Sequence, residues 1–175
     1  MSYQKCPVCF KDTLTVSQDE KEVPNYGTIL IFGMHCSTCL YHQADIESAD
    51  EKQPSKYTIE INSENDMNIH IIKSSAATLK IPELRMSVTP GPASEGYVSN
   101  VEGVLDKFKD IIESERDTTE DEDVRKKAKN LLKKIWKVKL GDIPIKIIIE
   151  DPSGNSAIVS KKAVVEQMKG VDKNR

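Results

Sequence analysis

Four cysteines stand in two pairs, Cys6-Pro-Val-Cys9 and Cys36-Ser-Thr-Cys39, with 26 residues between the pairs. A two-residue gap lets a tight turn aim both thiolates at one ion while its backbone N–H groups face the sulfurs. Two such knuckles supply the tetrahedral sulfur set that zinc takes at about 2.3 Å. Four soft thiolates select zinc or iron over magnesium or calcium. The intervening stretch is slightly longer than the commonest zinc spacing, and a β-hairpin accommodates it. The alternatives are redox CxxC motifs, an iron–sulfur centre, or two disulfides in a secreted chain. No helix signal follows either pair, as a thioredoxin-like site wants, and MSYQKCPVC lacks the apolar core of a secretory signal. Four thiolates leave no open coordination position, so the expected single zinc holds the fold and does not activate water. His35 and His42 flank the second knuckle and are expected beside the ligand set or in solvent.

Other chemistry is scarce. There is no GxGxxG and no GxxxxGK. The run Gly91-Pro-Ala-Ser-Glu-Gly96 resembles a phosphate loop only superficially, because Pro92 deletes a backbone donor and Glu95 repels anions. No Ser/His/Asp or Cys/His order stands out, His70 alone is free for a second metal site, and the expectation is a protein that is not an enzyme. One element is basic, from Arg125 and Lys126 through Lys137 and Lys139, with Trp136 as a possible stacking ring; this keeps open a nucleic-acid- or ribosome-associated module. Against it, 25 basic and 28 acidic side chains give a net charge of −3 and a pI near 5.7, whereas a general nucleic-acid binder is strongly basic. The longest apolar run, Ile29–Met34, has six residues, far short of the roughly 20 that span a bilayer. A soluble, cytoplasmic protein is expected.

The elements that must position these groups follow from pattern. Thr13–Ser17 and Thr28–Met34 read as strands around a polar loop, Gln18–Gly27, and Leu40–Ile46 reads as a strand leaving the second knuckle. This is a zinc-ribbon layout over residues 1–48, with Ser48–Ser55 as a polar linker. Residues 49–175 form the second unit. There, Tyr57, Ile59 and Ile61 alternate with polar residues, a period of two that implies one buried face. Met67–Ile72, Ala77–Ile81 and Met86–Thr89 are further short strands, which suggests an antiparallel sandwich or barrel. The period then changes. Ser99-x-x-Glu102 and Thr119-x-x-Glu122 are capping boxes. They open two helices with inward stripes of Val101, Val104, Leu105, Phe108, Ile111 and Ile112, and of Val124, Ala128, Leu131, Leu132, Ile135 and Val138. Trp136 lies beside the second stripe and is expected to pack there. Gly141 stops the second helix. Strands return with Ile143, Ile145, Ile147 and Ile149, then the turn Asp151–Asn155 and Ser156–Val159, so the helices are a hairpin inserted at about 99–140. A short helix, Lys161–Lys169, capped by Ser160, is expected to follow.

Several runs together resemble the ZPR-type zinc-finger proteins: CPVC; GMHCSTCLYHQADIES from Gly33; EKQPSKYTIEI from Glu51; IKSSAATLKIPEL from Ile72; PGPASEGYVSNVEGVL from Pro90; and EDPSGNSAI from Glu150. They span almost the whole chain in order. Eukaryotic members are similar to two such units in tandem, and a single unit resembles the archaeal form. The resemblance implies an α+β, mainly β fold: a four-cysteine zinc module, then a double-stranded β-helix of jelly-roll type with an inserted helical hairpin. It also implies binding to translation elongation factor 1-alpha in its GDP-associated form and help with that protein's folding. For such a role the loop Pro90–Gly96, including Gly91 and Glu95, is an expected contact surface, with Lys73, Ser74 and Glu83 on nearby strand ends, since loops on a rigid scaffold carry recognition.

Overall fold

The computed structural model describes residues 3–24, 26–49 and 52–168. The first sheet is a meander of β1 (Leu14–Val23), β2 (Gly27–Cys36) and β3 (His42–Ser48), all antiparallel. The stretch Gln18–Glu22, expected as loop, is strand: β1 pairs with β2 in unbroken register from Leu14 opposite Cys36 to Val23 opposite Gly27. Its polar residues face water on both sides, so they carry no alternation of burial. One face of this meander buries Ile29 and Ile46, with Val23, against Ile72 and Ala157 of the second unit. Of the stretch expected as a polar linker, Ser48 ends β3 and Ser55 begins the next strand. Residues 50 and 51 within it lie outside the described residues.

The second unit contains eight described strands in two sheets, as a jelly roll requires. One sheet has the order β11–β4–β9–β6–β7, formed by β4 (Ser55–Ile61), β6 (Thr78–Ile81), β7 (Met86–Val88), β9 (Ile145–Asp151) and β11 (Val164–Gln167). The other has the order β10–β5–β8, formed by β5 (His70–Lys73), β8 (Tyr97–Asn100) and β10 (Ala157–Val159). Alternation decides the core: Ile59 and Ile61 of β4 and Ile145, Ile147 and Ile149 of β9 all point between the sheets. Each such side chain contributes roughly 1.5–3 kcal/mol by leaving water. β5 is buried on both faces, Ile71 toward this core and Ile72 toward the zinc module.

Three expected elements differ. Met67 belongs to a 3-10 turn, Glu64–Asn68, so that strand begins only at His70. Ser160 caps a turn, accepting from the Lys162 N–H at 3.2 Å. Val164–Gln167 then pairs with β4 as a strand, where a helix was expected; Lys169 of that helix lies outside the described residues. Finally, each helix starts one or two residues later than its capping box suggests. Asn100 caps α1 (Val101–Thr118) by accepting from the Gly103 N–H, and Asp121 caps α2 (Glu122–Lys139) by accepting from Asp123 and Val124.

The helices do form a hairpin between β8 and β9, and it closes over one end of the core. Val101, Val104, Leu105 and Phe108 of α1 and Ala128, Ile135 and Val138 of α2 are buried. Ile111 is exposed, and Trp136, expected to pack, is 63% exposed. Lys139 ties the helices through Asp106 at 2.7 Å and Glu102 at 3.3 Å. Beyond it Gly141, at φ 79°, donates to the Val138 carbonyl while Asp142 donates to that of Lys137. This pair of bonds satisfies the last helical carbonyls and needs the left-handed residue.

A second left-handed glycine joins the units. Gly154 has φ 78°, and a Cβ there would sit 2.4 Å from the Gln53 carbonyl oxygen. Its neighbour Asn155 accepts from the Tyr26 hydroxyl and the Ser48 N–H, so this turn fastens the tip of the zinc hairpin. Gly154→Ala combines a left-handed alanine with a backbone collision. It is expected to cost about 2 kcal/mol or more, read as a lowered denaturation midpoint with an unchanged slope.

Candidate metal centre

The two knuckles are built alike. Cys6 N–H donates to the Lys11 carbonyl at 2.9 Å and Cys36 N–H to that of Tyr41 at 2.8 Å; Phe10 and Leu40 donate back to the carbonyls of Cys6 and Cys36, both at 3.0 Å. Each turn closes with a left-handed residue, Phe10 at φ 61° and Leu40 at φ 59°. The Val8 N–H faces the Cys6 sulfur at 3.4 Å. The first knuckle is anchored by Gln4 pairing with Leu14, and the second hangs on the end of β2.

These turns bring all four sulfurs within 4.8 Å of one another. Cys6 Sγ lies 3.7 Å from Cys39 Sγ, and Cys9 Sγ lies 3.6 Å from Cys36 Sγ. A tetrahedron with arms of about 2.3 Å has edges of about 3.8 Å, so the quartet fits one four-coordinate ion. A disulfide at about 2.05 Å does not describe these distances, and the thiols are free. Cys6 and Cys36 are buried with Leu14, and Met34 and Tyr41 pack against them. Cys9 and Cys39 lie nearer the solvent.

Thr13, which no sequence signal singled out, completes the cradle. Its hydroxyl lies 3.3 Å from Cys36 Sγ and 3.0 Å from the Thr38 hydroxyl. Thr13 and the backbone N–H groups of Cys39 and Thr38 hold the Cys36 thiol down to about 5 despite its burial. At Cys39 the Tyr41 N–H pulls the same way, but burial and the sulfurs of Cys36, Cys9 and Cys6 outweigh it and push that thiol up to about 12. A metal ion binds the thiolate form, so its uptake releases the protons the donor set holds. His35 and His42 are exposed. His42 Nδ1 lies 2.8 Å from a Glu95 carboxylate oxygen, outside the sulfur cluster.

The remaining expected contact residues scatter. Lys73 is 1% exposed and Ser74 2%, so neither presents a contact surface on a strand end. The Ser74 hydroxyl instead donates to Asp151 at 2.8 Å. Glu83 is half-buried and accepts from the Lys146 N–H at 2.9 Å, which fastens its turn to β9. Pro90 and Gly91 are exposed, and Glu95 is half-buried against His42. Gly96 is buried where the units meet: its N–H donates to the Ala44 carbonyl, and a Cβ would fall 2.6 Å from Asp45 Oδ1. What the sequence did not flag are the side chains at the knuckle tips, Phe10 at 69% and Leu40 at 74% exposed.

Comparison with known proteins agrees with this geometry. Residues 65–174 match the model of the ZPR1 jelly-roll domain. An uncharacterized ZPR1-like protein of Methanocaldococcus jannaschii is 38% identical over 157 residues, covering 89% of this chain and 79% of its own. Another, of Pyrococcus horikoshii, is 36% identical over 161 residues, 90% of this chain and 72% of its own. The zinc finger chaperone zpr1 of Schizosaccharomyces pombe is 24% identical over 143 residues, 79% of this chain but 30% of that longer protein. Among the described residues no helix is long and apolar enough to cross a membrane.

Proposed function

Because the chain belongs to the ZPR1 family, with one zinc site and one jelly-roll domain, we propose that it is a non-enzymatic, cytoplasmic binding protein that holds translation elongation factor 1-alpha in its GDP-associated form and assists its folding. The name of the fission-yeast relative, a zinc finger chaperone, supports the class of activity. The single observation that carries the reading is the pair of knuckle tips. Phe10 and Leu40 occupy left-handed positions that favour glycine, yet both hold large apolar side chains in water. A zinc site built only for stability gains nothing from them. Fixed on rigid turns, they lose little freedom on binding and suit an apolar partner surface.

Titration calorimetry with GDP- and GTP-loaded elongation factor tests this. The GDP form is expected to bind more tightly. The double change Phe10→Asp, Leu40→Asp is expected to weaken it by roughly 30-fold or more, the ~2 kcal/mol of an interface anchor. Aspartate tolerates the left-handed region, so zinc content and melting should hold. Absence of binding to either loaded form refutes the reading. Exposed Trp136 among Lys133 and Lys137 favours the nucleic-acid alternative. In the same titration that alternative would appear as RNA binding whose affinity falls steeply with salt.

A further inference from the structure

Among the described residues β1 is a free edge of its sheet, since the strand order is β1–β2–β3. Along an antiparallel edge every second residue turns its N–H and C=O away from the partner strand. Gln4 identifies which residues these are: it exchanges both main-chain hydrogen bonds with Leu14, at 2.8 and 3.0 Å. Leu14 therefore faces outward, and by alternation so do Val16, Gln18, Glu20 and Glu22. The Asp19 carboxylate accepts from the Glu20 N–H at 2.9 Å. No other partner meets the outward main-chain groups from Val16 to Glu22 among the described residues. Proteins usually blunt such an edge with a bulge, a cover, a short strand or charged side chains; of these devices β1 shows charge, at Asp19, Glu20, Lys21 and Glu22. Here it runs ten residues in unbroken register, and everything from Val16 to Glu22 is exposed.

Two further features describe what the edge fits. On the sheet face away from the jelly roll, Val16, Gln18 and Glu20 stand opposite Met34, Phe32 and Leu30 of β2, a half-buried apolar row. The edge itself is acidic, with Asp19, Glu20 and Glu22 against Lys21 alone, and none of the four forms an ion pair among the described residues. A second copy of β1 laid antiparallel would set acidic side chains among acidic ones, and like charges opposed across strands are destabilising. A basic strand would meet the opposite sign.

We propose that the β1 edge takes up an extended segment of a partner polypeptide by strand addition, the segment carrying Lys or Arg opposite Glu20 and Glu22 and an apolar residue opposite Val16. Main-chain hydrogen bonds would hold the segment, and the alternating side chains would select it. The surface is distinct from the knuckle tips and does not rest on the elongation factor being the client.

The test uses the zinc-loaded full chain and the blocked peptide Ac-Lys-Thr-Lys-Thr-Val-Thr-Val-NH2, whose two lysines and last valine fall opposite Glu22, Glu20 and Val16 in antiparallel pairing, with the peptide carrying glutamate in place of both lysines as control. Amide hydrogen exchange is followed by NMR. Exchange at Val16, Gln18 and Glu22 is expected to slow with the lysine peptide and not with the glutamate one. The double change Glu20→Lys, Glu22→Lys should weaken binding about tenfold, two cross-strand charge pairs being reversed. Gln18→Pro deletes only an outward donor, which an edge strand tolerates, and should weaken it while sparing zinc content. If that variant loses zinc, the charge reversal decides. Unchanged exchange, equal binding of both peptides, or an unaffected charge-reversed variant overturns the proposal. Protection that grows with protein concentration without peptide also overturns it, in favour of self-pairing.

Discussion

Replacing Cys36 by serine is expected to empty the zinc site and unfold the knuckle end of the first sheet. Cys36 is fully buried, sits at the end of β2 and takes the Thr13 hydroxyl beside its sulfur. Binding of structural zinc is on the order of 10–16 kcal/mol in small fingers, and a hydroxyl in place of one thiolate forfeits much of that. The cluster around Cys6, Leu14 and Cys36 is too small to persist without it. The jelly roll should survive in part, because the isoleucines of β4 and β9 form a core of their own. It should nonetheless melt at a lower temperature, since Ile72 and Ala157 lose cover as Ile29 and Ile46 move away. Metal analysis should give one zinc for the native chain and none for the variant, with amides of β1 and β2 exchanging freely and those of β9 still protected. Iron in the native protein, or unchanged melting of the variant, would refute the assignment.

The second large effect is expected at Asp151, whose carboxylate is wholly buried beside the junction of the two units. It accepts from the Ser74 hydroxyl at 2.8 Å, the Ser156 N–H at 2.7 Å, and the Ser153 N–H and hydroxyl at 2.8 and 2.7 Å. Asp151→Ala strands these donors and should cost roughly 3–5 kcal/mol, the usual penalty for removing one member of a buried charged network. The pH dependence has a definite sign. Burial alone would raise this carboxyl, but the donors from Ser156, Ser153 and Ser74 outweigh it and hold it below the ordinary range. Asp66 shifts the same way: burial opposes, while Lys162 and the Asn62 N–H prevail. The unfolded chain therefore binds these protons more readily. The stabilisation is complete above the ordinary value of about 3.9 and is lost as pH falls through the lower folded values. Denaturant titrations between pH 7 and pH 2 should show that acid limb, and show it flattened in Asp151→Ala.

What was legible in the sequence is what spacing and alternation encode. The cysteine pairs fixed their own meeting, and Ile145, Ile147 and Ile149 announced a one-sided strand whose three isoleucines are all buried. The helical stripes held at the positions that touch the core and failed at Ile111; Trp136, expected to pack beside the second stripe, is exposed as well, where the hairpin has a free side. Other features had no local signal. Gln18–Glu22 is strand although nothing there is buried, because its ladder with β2 supplies the order. Val164–Gln167 is equally exposed and takes its conformation from β4. Lys73 and Ser74 look like surface residues until β5 is seen pressed between two units. The capping boxes lost by a residue or two to Asn100 and Asp121, whose short side chains accept from N–H groups further along, those of Gly103 and of Asp123 and Val124.

The insertion of the hairpin between β8 and β9 has a consequence for how the chain is made. Among the described residues β4 pairs only with β9 and β11, and its partners in β9 lie from 84 residues (Ile61 to Ile145) to 96 residues (Ser55 to Asp151) downstream. At about 5–20 residues per second a ribosome needs on the order of 5–20 s to deliver them. Throughout that interval Ile59 and Ile61 have no sheet to enter. The zinc knuckles and the helical pair, whose contacts are closer in sequence, can assemble first. The nascent protein thus passes through a stage with its metal site and hairpin formed and its central sheet open, and its exposure to aggregation is set by the speed of translation.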